Sequence, residues 1–169
     1  MRAIARTNRS ARKDELAEEI VGQLVRRFST AAVLFHHAIA ERLGLGPTDH
    51  KCLDLLRERA PITGSELAAI TGLTTGAITG VVSRLERAGY VRRELDPDDG
   101  RQQLLYPARK RVQELQEVIN PLRNDVAGLL DGLDAHQLTA IASFLRGTTD
   151  FVYRHAALLR TQTLYAPKE

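Results

Sequence analysis

Residues 71–91, TGLTTGAITGVVSRLERAGYV, are the stretch that decides the fold. Four apolar residues in it recur at i, i+3, i+4 and i+7, which is the spacing of one buried face of a helix: Ile78, Val81, Val82 and Leu85. Thr74 is a suitable N-cap for this helix, and Gly89 ends it shortly after Ala88. We therefore expect an amphipathic helix over residues 74–88 whose apolar face packs on other helices.

The segments on either side predict a winged helix-turn-helix. Thr63 and Glu66 have the spacing of a capping box, which would open a short helix through Ile70. Residues 71–74 then form a tight connection to the helix described above, so the two helices read as a helix-turn-helix. After it, β-prone residues 90–95 and 102–106 flank the loop DPDDGR at 96–101, which predicts a hairpin wing.

Long helices are expected on both sides of this unit. An apolar stripe over about residues 14–43 predicts one helix, or two with a kink near 29–30, and a stripe this long favours a subunit interface. Thr48 is expected to cap a second helix that ends near Arg59. Beyond Pro107 the helical pattern resumes; Pro121 should kink that helix or start a new one, and residues 134–137 open a last helix.

The predicted fold is mainly α with a small β-hairpin wing: a winged helix-turn-helix flanked by N- and C-terminal dimerisation helices. The expected boundaries are a flexible basic arm at 1–13, an N-terminal dimerisation helix at 14–46, a DNA-binding lobe at 47–107, and C-terminal dimerisation helices at 108–165.

Composition limits the partner class. Of 169 residues, 5% are aromatic and none is Trp, which disfavours a stacking surface for single-stranded nucleic acid and leaves double-stranded DNA or a protein partner. The net charge is +3, yet residues 1–13 hold five basic residues and no acid, so the rest of the chain has a net charge of −2. That arm could follow phosphates or could be a solvated terminus.

Composition also bears on the compartment. The single cysteine cannot form an internal disulfide, which favours a reducing cytoplasm. No apolar run approaches the roughly 20 residues of a membrane span, so we expect no membrane association.

The face opposite the apolar stripe of the 74–88 helix is small and hydroxyl-bearing. Threonine there can contact a base edge and a thymine methyl in the major groove, the arginines at 84 and 87 can reach phosphates, and Arg101 at the wing tip suits a minor groove. The alternative is that Gly76 and Gly80 mark close packing of two helices. The predicted DNA-binding residues are Ser65, Thr74, Thr75, Thr79, Ser83, Arg84 and Arg101.

Residues 48–106 resemble the MarR family of bacterial transcription regulators, most specifically over GLTTGAITGVVSRLERAGYV at 72–91 and DPDDGR at 96–101. The resemblance implies a homodimeric, ligand-responsive repressor that reads a palindromic operator in double-stranded DNA, with half-sites roughly 34 Å apart. It assigns DNA contacts to Thr79 and Arg84 and the wing pair to Asp98 and Arg101. Gly80 and Gly100 stand where arginines are common in the family, so we expect a shallower salt dependence.

The same resemblance implies a small aromatic or amphipathic effector, bound in a cleft near the dimerisation helices. His36, His37 and His50 are the candidate ligand-binding residues, although plain structural histidines remain the alternative. Their spacing does not enforce a metal site, and we predict no metal. Cys52, with Leu53 and Leu56 nearby, is expected to pack as a small hydrophobe rather than to sense oxidants.

No catalytic motif is present in the sequence: there is no phosphate loop, nucleophile elbow, zinc-protease helix or paired-cysteine motif. We therefore expect no enzyme activity and no cofactor. The competing function is a winged-helix protein-interaction module without specific DNA binding.

Overall fold

The computed structural model describes the backbone of residues 2–163 and the side chains of residues 10–161 apart from 110, 112, 114 and 118. The chain divides into two compact units, Met1–Lys51 and Cys52–Glu169. Its elements, in order, are α1 (Arg2–Glu19), a π-helical turn (Ile20–Leu24), α2 (Val25–Arg42), α3 (Pro47–Arg59), β1 (Ile62–Thr63), α4 (Gly64–Thr71), α5 (Thr75–Arg87), β2 (Val91–Leu95), β3 (Gln103–Pro107), α6 (Arg109–Gly128) and α7 (Ala135–Thr163).

The first unit begins with helix rather than with the expected arm. Residues 2–13 belong to α1, consistent with the strong helix propensity of their alanines and arginines. The break in the long helix is the π-helical turn at 20–24, which contains Gly22, and it replaces the kink expected near 29–30. At 29–30 the helix is regular, and Thr30 Oγ1 donates to the Arg26 carbonyl at 3.2 Å.

Helix α3 starts two residues earlier than predicted. The Gly46 carbonyl accepts from the His50 amide at 3.0 Å, so Gly46 is the N-cap and Pro47 is the first helical residue. Proline suits that position because its missing N–H would have no intrahelical partner. The assignment of Thr48 as the cap is therefore wrong, since Thr48 lies inside the helix.

The helix-turn-helix has the predicted caps. Thr63 accepts from the Glu66 amide at 3.1 Å, and the Glu66 carboxylate accepts from the Thr63 amide at 2.6 Å, which is the reciprocal capping box. Thr74 caps α5 by accepting from the Ala77 amide at 3.2 Å. Between them Gly72 adopts the left-handed conformation, φ 74°, and the axes of α4 and α5 bend by 113°.

The wing is part of a three-stranded antiparallel sheet of order β1-β3-β2. In its register Arg93 of β2 pairs with Leu105 of β3, and Ile62 of β1 pairs with the same residue from the other side. The two wing strands lie within one residue of their predicted bounds. The two-residue strand β1 was not predicted.

The core of the second unit lies between the helix-turn-helix and the sheet. The predicted apolar face of α5 is buried, and neighbouring elements supply the other buried apolar side chains of this unit: Cys52, Leu53, Leu55, Leu56, Ile62, Leu67, Tyr90, Val91, Leu105 and Leu115. Each fully buried leucine or isoleucine contributes about 1.5–3 kcal/mol of transfer free energy. This packing fixes which face of α5 remains outside.

The C-terminal helices follow the predicted order. Helix α6 continues through Pro121, so the alternative of a new helix starting there is wrong. Before α7, the Gln137 amide donates to Asp134 Oδ1 at 2.8 Å and the Asp134 amide donates to Gln137 Oε1 at 2.9 Å. Residues 164 and 165 of the predicted C-terminal segment lie outside the described part of the chain.

Among residues 2–163, no single helix is long and apolar enough to cross a membrane; only the bent pair of α4 and α5, taken together, has that length and composition.

Candidate nucleic-acid interface

The outer face of α5 is open to solvent. Thr75 and Thr79 are exposed, and Thr79 Oγ1 donates to the Thr75 carbonyl at 2.9 Å. A hydroxyl that donates in this way keeps its lone pairs as acceptors. The face can therefore accept a hydrogen bond from a base amino group.

The two glycines of this face have different surroundings. A Cβ added to Gly76 would meet no atom within 4 Å, so no described residue of this chain packs closely on that position. A Cβ on residue 80 would lie 3.4 Å from Arg84 Nη1. The helix-packing alternative therefore has no partner within the described residues, and Gly80 leaves room for the arginine one turn later.

The wing tip is held by its own aspartates. Asp96 Oδ1 accepts from the Asp98 amide at 2.9 Å, and Asp99 Oδ1 accepts from the Arg101 amide at 3.1 Å. The Arg101 side chain is 96% exposed, with its Nε 3.6 Å from Asp99 Oδ1. The family resemblance pairs Arg101 with Asp98, whereas in the structure a carboxylate oxygen of Asp99 lies beside the Arg101 guanidinium.

Helix α4, the outer face of α5 and the wing enclose a groove of about 320 Å³. Four of the predicted DNA-binding residues line it together, namely Ser65, Thr75, Thr79 and Arg101. The other three lie outside this lining: Thr74 is exposed and caps α5, Arg84 is exposed further along α5, and Ser83 is half-buried. The structure thus joins the start of α4, the predicted reading helix and the wing tip on one concave surface.

Polar residues that sequence reasoning did not assign also line the groove: Thr63, Arg93, Gln102 and Gln103. The available signal was the alternation of side chains along a strand. Arg92 lies over the Tyr106 ring, 4.6 Å from its centroid, and pairs with Glu94. Its neighbour Arg93 must then point to the opposite face of the sheet, towards α5.

The candidate sensor histidines lie in the first unit. The rings of His36 and His50 approach to 5.5 Å between centroids, and Phe35 packs edge-on to His36. His50 is 1% exposed and Asp49 is 5% exposed, whereas His37 is exposed. Two of the three predicted residues therefore come together, and the third faces solvent.

A helix-turn-helix followed by an antiparallel hairpin, with polar side chains on one concave face and an exposed arginine at the tip, defines a winged helix-turn-helix DNA-binding protein. The family model described as MarR family matches residues 43–102. The chain is 38% identical over 135 residues to the uncharacterized HTH-type transcriptional regulator YcgE of Bacillus subtilis (strain 168), covering 80% of this chain and 88% of that one. The chain belongs to the MarR family of transcriptional regulators.

Solved structures support the fold. A MarR family protein from Bacillus stearothermophilus aligns with a TM-score of 0.63 at 22% identity, covering 83% of this chain and 96% of that one. BpsR of Bordetella bronchiseptica, whose DNA binding is regulated by 6-hydroxynicotinic acid, aligns with a TM-score of 0.52 at 22% identity, covering 79% and 95%. The predicted fold class and the predicted family are both confirmed.

Proposed function

We propose that this regulator is a ligand-responsive repressor of the cytoplasm that binds an inverted-repeat operator as a homodimer. Its reading surface is the groove face described above: Thr75 and Thr79 contact base edges in the major groove, and Arg101 enters the adjacent minor groove. The observation that carries the proposal is that these three side chains line one groove, although Arg101 is 22 or more residues away from the threonines in sequence.

Two further predicted residues, Ser65 and Arg84, fit phosphate contacts. Ser65 is exposed in the first turn of α4, where the helix N-terminus favours an anion. Arg84 is exposed on α5 beyond the small face. Contacts of this kind set the register of the protein on the duplex and leave sequence reading to α5.

Exposed apolar surface supports the homodimer. On α2, Phe28 is 70% exposed and Leu34 is 65% exposed; on α7, Phe144, Leu145 and Val152 are each between 44% and 56% exposed. Apolar side chains exposed in this number on two helices usually mark an interface. A second copy of the chain would bury them and would place two reading helices on one face of the duplex.

The effector is proposed to be a small aromatic or amphipathic acid. Two observations support this proposal. Phe35, His36 and His50 cluster in the first unit, and 6-hydroxynicotinic acid regulates the DNA binding of the Bordetella protein BpsR. A molecule that binds one arrangement of the dimer more tightly would shift the population away from the DNA-competent state.

The test begins with selection of duplexes from a randomised library by the full-length protein. Enrichment of an inverted repeat supports the proposal. An unselective pool, with equal binding to the recovered and scrambled duplexes at low salt, overturns it and favours the protein-interaction module.

The selected duplex then permits a test of the reading surface. Thr79→Ala should relax discrimination at particular base pairs by about 1–3 kcal/mol. Thr139→Ala is the matched control, because Thr139 is exposed on α7 and makes the same bond to the carbonyl four residues earlier, at 2.7 Å. Arg101→Ala should reduce the preference for duplexes with a narrow minor groove, whereas Arg57→Ala, which removes a positive charge paired with Asp54 on α3, should leave that preference unchanged.

A further inference from the structure

The guanidinium of Arg93 connects three elements of the reading unit. Its Nε lies 3.1 Å from Glu86 Oε2, its Nη1 donates to Gln103 Oε1 at 3.2 Å, and its Nη2 donates to Ser83 Oγ at 3.4 Å. Ser83 and Glu86 are on α5, Arg93 is on β2, and Gln103 is on β3. One side chain thus links the reading helix to both strands of the wing.

Sequence position explains why Arg93, and not its neighbour Arg92, makes the connection. Alternation along β2 directs Arg92 towards the Tyr106 ring and Arg93 towards α5. Ser83 and Glu86 are three residues apart, so they lie side by side on the face of α5 next to the wing. The planar guanidinium carries several N–H donors in a fixed arrangement, so it can bond to Ser83 and Glu86 at the same time. A lysine ammonium cannot reproduce that arrangement of donors.

Exposure indicates what the connection does. The Arg93 side chain is 28% exposed and that of Glu86 is 43% exposed. An ion pair this accessible to water contributes little to folding stability. Its geometry, with Arg93 on β2 in contact with two residues of α5 and one of β3, restricts the position of the wing relative to α5.

We propose that Arg93 is a positioning residue for DNA recognition. It holds the wing at the distance from α5 that lets Thr79 and Arg101 enter neighbouring grooves of one duplex, and this inference rests on the function proposed above. Ser83 then acts through Arg93 instead of reading a base. The contacts of Arg93 with Ser83, Glu86 and Gln103 form the Arg93 bridge. Loss of this bridge reduces specificity for the operator, even where the substitution makes the DNA-binding face less negative.

One substitution distinguishes a positioning role of Arg93 from a simple electrostatic effect on affinity. Glu86→Ala removes a negative charge beside the DNA-binding face, so charge alone predicts tighter binding to every duplex. Loss of the bridge predicts that the ratio of affinities for the selected and scrambled duplexes falls by at least about threefold. Glu94→Ala is the matched control, because it removes the same charge from β2 and leaves Arg93 with its three partners.

The experiment measures both affinities by fluorescence anisotropy for full-length wild type, Glu86→Ala, Glu94→Ala, Arg93→Lys and Arg93→Ala, with urea unfolding of each variant. The inference is supported if the ratio of affinities for the selected and scrambled duplexes falls in both Glu86→Ala and Arg93→Lys and stays at the wild-type value in Glu94→Ala. The inference is overturned if Glu86→Ala behaves as Glu94→Ala does, or if Arg93→Lys keeps the wild-type ratio. These two variants decide the outcome even if Arg93→Ala does not fold.

Failure of the bridge and failure of the proposed function give different results. If wild type itself binds the two duplexes equally, sequence-specific regulation is wrong whatever the variants do. If wild type prefers the selected duplex and Arg101→Ala weakens binding, but Glu86→Ala keeps the ratio, only the role of Arg93 is wrong.

Discussion

Arg160 Nη1 donates to the carbonyl oxygen of Ile70 at 2.9 Å, across 90 positions of sequence. Ile70 is in the last turn of α4, and Arg160 is in the last turn of α7. A second contact places the Arg59 guanidinium 4.8 Å from the centre of the Tyr153 ring. The C-terminal helix therefore contacts the helix-turn-helix directly, at the turn that precedes α5.

Replacing Arg160 with Ala should lower the free energy of unfolding by about 0.5–1 kcal/mol, because a cation near the carbonyl end of a helix is favourable and this one is exposed to water. Urea denaturation followed by circular dichroism measures the change. Arg154→Ala is the control, since Arg154 is exposed on the same helix and donates to the Asp150 carbonyl within its own turn. Equal effects of the two variants would show that the contact with α4 contributes nothing.

Gly72 and Gly89 give a matched pair of substitutions. Both have positive φ, 74° and 77°, so alanine costs about 1–2 kcal/mol at either position. A Cβ on residue 72 would also lie 2.5 Å from Arg160 Nε, whereas one on residue 89 meets its nearest atom, Arg111 Cγ, at 3.6 Å. Gly72→Ala should therefore destabilise the protein more than Gly89→Ala.

A double variant isolates the cause of that difference. In the Arg160→Ala background, the unfolding free energies of Gly72→Ala and Gly89→Ala should become equal within about 0.5 kcal/mol, because the displaced side chain is absent. If Gly72→Ala remains less stable than Gly89→Ala in this background, the extra destabilisation arises from the turn itself.

The capping box makes a prediction about α4. Thr63→Ala removes the acceptor for the Glu66 amide and should cost about 1 kcal/mol of stability. Glu66→Ala removes the reciprocal bond, and the double variant should cost less than the two single costs added together, since both act on one motif. Additive losses in urea denaturation would mean that the two bonds act independently.

What could be predicted from the sequence was the part that local rules govern. The four-residue apolar face of α5 and the caps at Thr63 and Thr74 follow from helical period and side-chain chemistry over a few residues. The strand β1 was missed because two residues carry no periodicity, and its pairing with Leu105 is set by tertiary packing. The bridge from Arg93 to Ser83 and Glu86 was missed for the same reason, since it depends on how the sheet lies against the helix.

Cys52 should be inert in the folded protein. It is 1% exposed, beside Leu53 and Leu56, which are fully buried. Because thiol reagents and peroxide need access to the sulfur, labelling should proceed slowly in buffer and rapidly in denaturant, and peroxide should leave DNA binding unchanged. Loss of DNA binding in peroxide by wild type but not by Cys52→Ala would make Cys52 a redox sensor.

Alanine substitutions of the wing residues Asp98 and Asp99 should change the affinity for the selected duplex in opposite directions. The Asp99 carboxylate accepts from the Arg101 amide at 3.1 Å and from Gln102 Nε2 at 3.2 Å, so Asp99→Ala releases the loop that carries Arg101. Ordering that loop again on DNA costs about 1–2 kcal/mol per residue. This cost exceeds the roughly 1 kcal/mol of repulsion from the DNA phosphates that is relieved when one exposed negative charge is removed.

Asp98 takes part in the loop through its backbone amide, which donates to Asp96 Oδ1, and this bond survives Asp98→Ala. That variant should therefore bind the selected duplex more tightly than wild type, because it loses only a negative charge near the phosphates, whereas Asp99→Ala should bind it more weakly. Anisotropy titrations at two salt concentrations measure both effects. If Asp98→Ala weakens binding and Asp99→Ala does not, Asp98 is the carboxylate that orients Arg101 on DNA, as the family resemblance implies.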